Sequence, residues 1–479
     1  MFGNLKDYLK RVFELDLRSL AVTRVSLGFL SVIDCLFRLQ DLEAHYTDFG
    51  VMPLNSLYSL YTPRGPCLHC FSSSFGWLYL IFGLHILTAI LFMVGWKTKA
   101  SNFFLWLFTI SLHFRNPLII DGGDVLLRCF LLWMFFLPTA EYYSIDAKHK
   151  KVTATQTTWW LNPMLALQLF MLYFTSALLK TGADWWPLGT AAGYALSLEA
   201  FVTPFGKWMT QFPETLRFLT RAVYLVELWG PFLLLCWGRL RLLGVFIFVC
   251  FHAGLGLCLD LALFPWFAYA CLFALVPREF WEFVKKTKDR EHYQIPNFQK
   301  AFSVLGLPFF CLAIAWNVYT YIQKPLNRIA NDSAQWLHID QYWGMFAPYP
   351  LKDSGWYEFG VRLWDGQYVY TFVDDKMESE WNQDKGRPEN TYHYYVDQRW
   401  KKYLVNLWDK SNAKYRPLLA AYLCRKWNRE NVIPSDKALK LDMVFTLYQN
   451  VEYLKPARGP SSIDLGNYDC PQDVFVNDK

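Results

Sequence analysis

Charged residues are scarce in this sequence. Asp, Glu, Lys and Arg make up 18% of the 479 residues, whereas hydrophobic residues make up 54% and aromatic residues 19%. The sequence also lacks an internal repeat and a low-complexity tract. Because the apolar residues occur in long blocks and not at amphipathic spacing, the composition excludes a simple soluble enzyme and indicates a membrane protein.

Nine apolar stretches are candidates to cross a bilayer as helices. Most are long enough for about 30 Å of hydrocarbon, while the fourth, sixth and eighth are short. We therefore predict an all-α polytopic membrane helix bundle over residues 1–326. The stretches are 17–39, 76–96, 101–120, 125–140, 161–180, 222–238, 242–261, 262–277 and 302–322. No cleavable signal peptide is predicted, because the charged, amphipathic start is followed by an apolar run that is too long for one.

Lys and Arg residues are unevenly distributed among the connecting segments. They are concentrated at the amino terminus and in the second, fourth, sixth and eighth loops, and the alternate loops hold fewer. Under the positive-inside rule the amino terminus is cytoplasmic, and an odd number of spans places residues after about 327 on the extracytoplasmic side. The net charge of +6 is then a topology signal, and no nucleic-acid partner is predicted.

Residues 327–479 are numerous enough for one domain, which we predict to be mainly β and sandwich-like. Two strand-like runs in 356–375 are joined by Asp365-Gly366, a strong hairpin dipeptide, and 439–453 alternates again. Between them, residues 398–427 have a helical pattern. The last segment, 459–479, has turn residues and few apolar ones, which predicts a loosely attached end.

The eleven cysteines divide by location. Seven lie in the predicted spans, where a free cysteine behaves as a small hydrophobic residue. Cys67, Cys70, Cys424 and Cys470 lie on the predicted outer, oxidising side, which favours a structural disulfide among them. A redox-active pair at Cys67 and Cys70 is the alternative. The spacing of Cys and His predicts no zinc site, and no metal is expected.

Ionisable residues inside the predicted spans are the first candidates for function. Arg24 and Asp34 share the first span but lie ten residues apart, too far along a helix to pair directly. Each therefore needs a partner from another helix or a wet cavity, and a structural ion pair is at least as good an interpretation as a functional one. Asp124 and Arg128 have the i,i+4 spacing that lets side chains bridge.

Three further features of the spans bear on function. The pair Gly122-Gly123 lets the backbone come close to a neighbouring helix or to a ligand. Glu227 interrupts the sixth span, and His252 lies near the middle of the seventh. His252 is either a proton carrier or a core group that is hydrogen-bonded to another helix.

Lys180 closes the fifth predicted span in the run LLKTGADWW. One interpretation is structural: the lysine reaches the lipid headgroups, pairs with Asp184, and stands beside an aromatic belt of Trp185 and Trp186. The other is functional, because a lysine drawn into an apolar pocket can act as a base near neutral pH. The predicted topology would point such a base toward secreted substrates.

LLKTGADWW resembles the segment of the vitamin K-dependent γ-glutamyl carboxylases that carries their proposed catalytic lysine, with Lys180, Asp184 and Trp185 on matching positions. The run FHAGLGLCLDLALFPWF, which contains His252, resembles a later membrane segment of those enzymes. SLAVTRVSLGFLSVIDCLFRL, HYTDFGVMP and DGGDVLLR are similar to the broader horizontally transferred transmembrane (HTTM) family. In the outer region, YWGMF, Asp365-Gly366 and Arg399-Trp400-Lys401 resemble the lumenal domain of the carboxylases.

This resemblance implies a membrane enzyme that carboxylates peptidyl glutamate and couples this reaction to oxidation of reduced vitamin K, a menaquinol-type quinone, to its epoxide. It implies a quinone cofactor, a secreted peptide or protein as partner besides the lipid bilayer, and no metal. Lys180 and His252 are the candidate catalytic residues. The candidate lining of a substrate or quinone cavity is Arg24, Asn116, Asp121, Asp124, Arg128, Asp184, Trp185 and Glu227.

The chain departs from the carboxylase pattern at two places. An Asn-His pair of the enzymes is replaced by Asp121-Gly122-Gly123-Asp124, and a polar set after His252 is replaced by Gly254, Leu255 and Gly256. Two hypotheses follow. The chain is a quinone-dependent carboxylase of secreted peptides, or it is a non-carboxylating HTTM protein that binds a lipid, quinone or peptide in the maturation or export of a secreted product.

Overall fold

The structure is a computed structural model. It describes residues 5–62, 64–149, 154–158, 161–285, 293–294, 296–297, 300–301, 304–324, 326–382 and 387–471. Part of the predicted basic fourth and eighth loops, the first residues of the ninth predicted span and the last eight residues of the chain lie outside these ranges.

The described chain is mostly helical before residue 337 and mixed after it. The helices are α1 Leu5–Val12, α2 Leu17–Gln40, α3 Leu42–Tyr46, α4 Leu54–Leu60, α5 Phe75–Val94, α6 Thr98–Arg115, α7 Gly122–Phe135, α8 Pro163–Leu179, α9 Ala191–Leu196, α10 Pro204–Met209, α11 Pro213–Leu234, α12 Gly238–Cys258, α13 Phe264–Phe273, α14 Arg278–Lys285, α15 Gly306–Tyr321, α16 Arg328–Trp336, α17 Asp375–Glu380, α18 Thr391–Tyr394, α19 Gln398–Trp408 and α20 Arg416–Glu430.

Each of the nine apolar stretches overlaps one of these helices: α2, α5, α6, α7, α8, α11, α12, α13 and α15. By length and composition, α2, α5 and α12 are long and apolar enough to cross a membrane. Large apolar side chains such as Tyr79, Trp229 and Phe246 are about 60% exposed on these and neighbouring helices. Such exposed apolar faces indicate contact with a lipid bilayer. A crossing by all nine helices remains a prediction.

Local sequence explains several helix boundaries. The Asp16 side chain accepts a hydrogen bond from the Arg18 N–H at the start of α2, and Ser74 caps α5 in the same way. At α7, Asp121 and Asp124 form a reciprocal capping box. The predicted close approach at Gly122-Gly123 is also present, because a Cβ on Gly123 would lie 3.2 Å from Phe264 Cα in α13.

The helix ends gather into two groups. At one end, Asp146 accepts hydrogen bonds from the Lys97 and Thr98 N–H groups at the α5–α6 turn, and β1 (Glu14–Asp16) pairs with β2 (Gln156–Thr158). At the other end, the carboxyl ends of α2, α6 and α12 and the amino end of α7 contact residues 337–471, through pairs such as Lys401 and Asp260. The helices α2, α5, α6 and α7 therefore alternate in direction, as an up-and-down bundle requires.

Residues 353–469 contain one four-stranded antiparallel sheet in the order β4-β3-β7-β8. The strands of this region are β3 Asp353–Leu363, β4 Tyr368–Thr371, β5 Trp381–Asn382, β6 Arg387–Pro388, β7 Ala438–Gln449 and β8 Arg458–Asp469. The hairpin at Asp365-Gly366 is confirmed, with Phe359 opposite Thr371. The predicted helical stretch is two helices, α19 and α20. The region differs from the predicted sandwich because residues 375–430 form mainly helices, and these helices pack beside the sheet in place of a second one.

The prediction of a loosely attached end was wrong for residues 458–469. They form β8, which pairs with β7 from Lys440–Asp469 to Gln449–Arg458. The following Cys470 forms a disulfide with Cys424 in α20. A second disulfide joins Cys67 and Cys70. The predicted structural disulfide is therefore present, and cysteine pairing fixes the strand that the sequence pattern did not reveal.

One hydrophobic core extends across the predicted domain boundary. Buried Phe82 and Phe108 from the helix bundle belong to the same cluster as Phe359, Tyr403 and Leu441 from the sheet region. A second cluster fills the space between α2, α7, α8 and α13. The division into units 1–326 and 327–479 remains a prediction, and the packing between the two parts is continuous.

Candidate functional site

A buried ionic network joins the two parts of the chain. Arg399 in α19 donates from Nη2 to Asp34 Oδ1 at 2.5 Å and from Nη1 to Asp124 Oδ2 at 2.6 Å. Arg38 donates to the other oxygen of each carboxylate, at 2.8 Å to Asp34 and 2.6 Å to Asp124. Both Arg38 and Asp124 have no exposed side-chain surface. The network therefore fixes α19 against α2 and α7.

Beside this network lies a cavity of about 820 Å³ with mostly apolar walls. The helix bundle supplies its inner part through the facing ends of α8, α11, α12 and α13. The outer part is formed by the segment 344–351, by α19 and by β8. The inner lining includes Asp121, Gly122, Tyr173, Lys180, Trp185, Glu227, Phe251, His252 and Phe264, and the outer lining includes Phe346, Tyr349, Gln398, Lys402, Asp464 and Leu465.

Lys180 is the C-cap residue of α8 and projects into the inner part of this cavity. Its Nζ donates to Ser176 Oγ at 2.7 Å and to Glu227 Oε2 in a close ion pair. The ammonium group also lies 4.8 Å from the ring centroid of Trp185. The two charged side chains are 2% and 6% exposed, so the pair is shielded from solvent.

Local sequence explains how this geometry arises. Ser176 lies one turn before Lys180, on the same face of α8. Pro231 lies inside α11 one turn after Glu227, and because proline has no N–H it leaves the Glu227 carbonyl without its usual helical donor. After Lys180 the chain turns at Gly182, where a Cβ would lie 2.4 Å from Tyr349 Cδ1. Glycine therefore permits segment 344–351 to close over the lysine.

The structural interpretation of Lys180 predicted a headgroup contact and a pair with Asp184, and the structure has neither. Lys180 is buried, at 4% exposure. Asp184 instead forms an ion pair of 2.9 Å with Lys352 and accepts a hydrogen bond of 2.8 Å from Thr190. It therefore fixes the loop after α8 and is not part of the cavity lining. Trp185 does line the cavity, and its indole N–H donates to the Phe346 carbonyl at 3.0 Å.

His252 lines the same cavity from α12 and is fully buried. Its Nε2 lies 2.9 Å from the Tyr173 hydroxyl in α8. In the described part of the chain, its Nδ1 has no hydrogen-bond partner. His252 therefore has the core contact to another helix that one interpretation predicted, and a second nitrogen that is free to meet a ligand.

The structure brings together some of the predicted cavity residues and separates others. Asp121 and Glu227 line the cavity, whereas Asp124 lies in the ionic network and pairs with Arg38 and Arg399, not with Arg128. Arg128 Nη2 lies 3.5 Å from Asp340 Oδ2 in a different cavity. Burial raises the pKa of Asp340, but the Arg128 charge and the contact with His338 together outweigh burial, and the net shift is downward.

Arg24 and Asn116 do not line the cavity. Arg24 donates to the backbone carbonyls of Thr139, Tyr142 and Tyr143 at the opposite end of the bundle. The Asn116 side chain donates to the His45 carbonyl at 3.2 Å and accepts from the Leu118 N–H. Both side chains therefore satisfy backbone groups of neighbouring loops.

The sequence assigned no role at the site to Tyr173, Ser176, Arg399 and Lys402. Ser176 could have been found from its i,i+4 spacing to Lys180, and Tyr173 lies two turns before that lysine. Arg399 and Lys402 belong to a helix that is far along the chain, and nothing in their local pattern indicates a contact with the bundle. In the described ranges, no group of three His, Cys, Asp or Glu side chains is placed to hold a metal ion.

The arrangement provides acid and base groups in a water-poor space. Lys180 can donate a proton to a ligand, and Glu227 can accept a proton from one. The low-dielectric environment strengthens the hydrogen bonds that such a ligand makes with either group. The His252–Tyr173 pair adds a second donor and acceptor within the same apolar wall.

Comparison with known proteins identifies relatives of this chain. The model of the HTTM domain family matches residues 13–280, which is more than half of the chain. The sporulation-delaying protein SdpB of Bacillus subtilis strain 168 is 25% identical over 190 residues, 38% of this chain and 56% of SdpB. The chain thus spans about half the length of that curated relative. No solved structure matches the chain.

Proposed function

Since this chain belongs to the HTTM domain family, we propose that it is a multi-pass membrane enzyme that transfers a proton to or from a substrate inside the cavity at Lys180. The observation that carries this proposal is the buried ion pair of Lys180 and Glu227 on the wall of a large apolar cavity. Buried charges at membrane depth are costly and are commonly retained for function.

The reaction we propose is carboxylation of peptidyl glutamate with oxidation of a reduced quinone. The support is the resemblance of the Lys180 segment to the carboxylases together with the shared cavity of Lys180 and His252. In those enzymes oxygen oxidises the bound quinol, and this oxidation is coupled to removal of the γ-proton of glutamate. The sporulation-delaying relative carries no such activity in its name, so this reaction is our proposal for the chain.

The cavity residues fit a quinone. Aromatic side chains from Trp185, Phe251 and Phe264 supply apolar walls, and the unpartnered His252 Nδ1 is a buried polar atom that a hydroxyl group could satisfy. Glu227 would accept a proton from Lys180, which leaves a neutral amine beside the ligand. Ser176 and Trp185 would hold that amine in position, and the closed segment 344–351 would exclude water.

The proposed topology places this cavity toward the extracytoplasmic side. Nine spans, a cytoplasmic amino terminus and an extracytoplasmic region 327–479 agree with the alternation of helix direction and with the distribution of Lys and Arg. A secreted peptide would then reach the cavity from its outer part, between α19, β8 and segment 344–351.

The proposal is tested with the purified protein in lipid nanodiscs, supplied with reduced vitamin K, oxygen, labelled bicarbonate and a glutamate-rich peptide. We expect label in the peptide together with quinone epoxide. Lys180→Ala should abolish both products, and Lys324→Ala, at an exposed lysine outside the cavity, should leave them unchanged. A folded preparation that forms neither product would refute the carboxylase reaction.

A second candidate is a non-carboxylating protein that binds a lipid, quinone or peptide in the maturation or export of a secreted product. It is favoured by Gly254, Leu255 and Gly256, which leave the wall near His252 without the polar set of the carboxylases. A quinone or lipid that co-purifies stoichiometrically with the inactive protein, and is lost in Trp185→Ala, would support this candidate. Turnover in the assay above would exclude it.

A further inference from the structure

One face of α19 forms part of the outer wall of the cavity. Residues 398, 402, 405 and 406, at helical spacings of three and four, line the cavity, while Trp400, Tyr403 and Leu404 on the opposite face are buried in the core. The network of Arg399 with Asp34 and Asp124 fixes the rotation of this helix. Its cavity-facing side chains are therefore held in defined positions.

Lys402 is the cation on this face of α19. In the described part of the chain, no carboxylate oxygen lies within 4 Å of its Nζ. The neighbouring Lys401 differs, since it points away from the cavity and pairs with Asp260 at 2.7 Å. The two adjacent lysines of one helix therefore have different surroundings.

The acidic residues that line the cavity are already engaged by other groups. Asp121 caps α7, Glu227 pairs with Lys180, and Asp353 accepts hydrogen bonds from Trp408 and Gln449. Asp409 and Asp464 each accept a backbone N–H, from Ser411 and Gly466 respectively. The cavity thus has a lysine on its outer wall that forms no ion pair with these carboxylates.

We propose that Lys402 binds the carboxylate of an amphiphilic ligand whose apolar part occupies the aromatic inner cavity. The proposal rests on the proposed function only in that the cavity takes a ligand, and it does not require proton transfer. Charge-assisted hydrogen bonds from a lysine to a carboxylate are short and strong in a water-poor site. Burial lowers the pKa of Lys402 despite the charges of Asp121 and Asp124, so an added anion would favour its charged form.

A carboxylate can come from a fatty acid of the bilayer or from an acidic side chain of a peptide, and both share the chemistry that Lys402 would recognise. The test measures saturable binding to the protein in nanodiscs, with empty nanodiscs subtracted. One arm compares dodecanoate with dodecanol. The other compares an acetylated, amidated tripeptide that has glutamate between two phenylalanines with the same tripeptide containing glutamine in place of glutamate.

We expect at least one carboxylate ligand to bind about tenfold more tightly than its neutral counterpart. Lys402→Met should remove this preference without changing the affinity for the neutral ligand, and Lys402→Arg should retain it. Lys324→Met, at an exposed lysine outside the cavity, is the matched control and should behave as the unsubstituted protein.

The arm that shows the effect identifies the source of the carboxylate. The proposal would be overturned if neither arm showed a preference for the carboxylate ligand, or if Lys402→Met kept that preference. It would also be overturned if Lys402→Met weakened the binding of the carboxylate ligand and of its neutral counterpart equally. Failure of the carboxylase assay would not affect this test, because it measures binding in the absence of quinone and bicarbonate. The two proposals can therefore fail separately.

Discussion

Lys180 and Glu227 carry opposite charges in a space that is almost closed to solvent. Removing one partner of such a pair leaves an uncompensated buried charge, which costs about 3–5 kcal/mol, whereas removing both is much less costly. We expect Lys180→Met and Glu227→Leu each to lower the free energy of unfolding by about 3 kcal/mol. The double variant Lys180→Met/Glu227→Leu should recover most of this loss.

The measurement is a double-mutant cycle of unfolding in nanodiscs, which isolates the coupling of the two side chains. Arg217→Met serves as the control, because its pair with Glu214 is exposed and should contribute little. Additive losses in the double variant would show that Lys180 and Glu227 do not stabilise each other, and would contradict the ion pair.

Asp41 follows α2 and accepts a hydrogen bond from the Trp400 indole at 3.2 Å. Burial raises its pKa, and a hydrogen bond and the negative charge of Asp397 raise it further, to about 8. Because the folded pKa lies above the ordinary value of 3.8, this carboxyl favours folding when it is protonated. Its contribution is fully present below about pH 4 and is lost as the pH rises through 8.

We therefore expect the melting temperature of the protein to decrease as the pH is raised from 6 to 9. Asp41→Asn should make this decrease smaller, because an amide does not titrate. Asp332→Asn, at a half-exposed carboxylate, is the control and should follow the unsubstituted protein. An Asp41→Asn curve parallel to that of the unsubstituted protein would show that another group is responsible.

At the residue scale, the sequence singled out Lys180 as a candidate but did not predict its surroundings. The run LLKTGADWW places a lysine at a helix end, and headgroup contact is the usual outcome for such a residue. The true partner, Glu227, is 47 residues away, and its contact depends on how α8 packs against α11. Helical periodicity contains no information about that pairing, so the headgroup and Asp184 contacts were predicted in its place.

The contact between α19 and the helices α2 and α7 depends on Arg399. Arg399→Met would leave Asp34 and Asp124 with Arg38 as their shared cation, and Asp121 would lose a guanidinium group at 3.8 Å. We expect a loss of about 3 kcal/mol in the free energy of unfolding, since a buried charge network would be broken. Residues 337–471 should also become more sensitive to protease.

Arg362→Met is the matched control for this substitution. Arg362 lies in β3 with a side chain that is 58% exposed, and its nearest carboxylate oxygen, on Asp442, is 3.7 Å away. Exposed pairs of this kind contribute less than about 1 kcal/mol. If Arg399→Met and Arg362→Met gave equal effects on unfolding and on proteolysis, Arg399 would not be the residue that holds α19 in place.

The Cys424–Cys470 disulfide should stabilise the chain by holding β8 beside α20. It closes a loop with a sequence separation of 46, which corresponds to about 4 kcal/mol in the chain-entropy model. The separation of 3 for Cys67–Cys70 corresponds to about 2 kcal/mol in the same model. We expect Cys424→Ala/Cys470→Ala to lower the unfolding free energy about twice as much as Cys67→Ala/Cys70→Ala. Equal losses would show that loop length does not determine the effect.

At the scale of elements, the sequence located helices well and one strand poorly. Every long apolar run contains a helix, because such runs carry their own signal along the chain. The strand β8 has exposed residues over most of its length, so it shows little apolar alternation. It exists because β7 pairs with it and Cys424 anchors its end, and both partners are distant in sequence.

At the scale of the whole molecule, the two parts of the chain share a cavity and a core. The predicted boundary near residue 326 separates two parts of the chain that differ in composition. Side chains nevertheless pack across this boundary, through Arg399, Lys401 and the hydrophobic core that the two parts share. Composition cannot reveal this, since an interface between helices and a sheet needs no continuous sequence pattern. The candidate site was therefore predicted from its bundle half alone, and Lys402 was missed.

The direction of the helices gives a prediction for the whole molecule. Residues 337–471 contact one end of the bundle, and the loop after α7 lies at the other. The positive-inside rule places that loop in the cytoplasm. A cysteine introduced at Asp375, whose side chain is 96% exposed, should react with a membrane-impermeant maleimide in intact cells.

A cysteine introduced at the exposed Lys148 should react with the same maleimide after permeabilisation and not before. The unsubstituted protein measures the background of its native free cysteines. Because both substituted positions are solvent-exposed, a difference between them reports the side of the membrane and not burial. Labelling of Lys148→Cys in intact cells would show that the chain has the opposite orientation. The cavity at Lys180 would then open toward cytoplasmic and not secreted ligands.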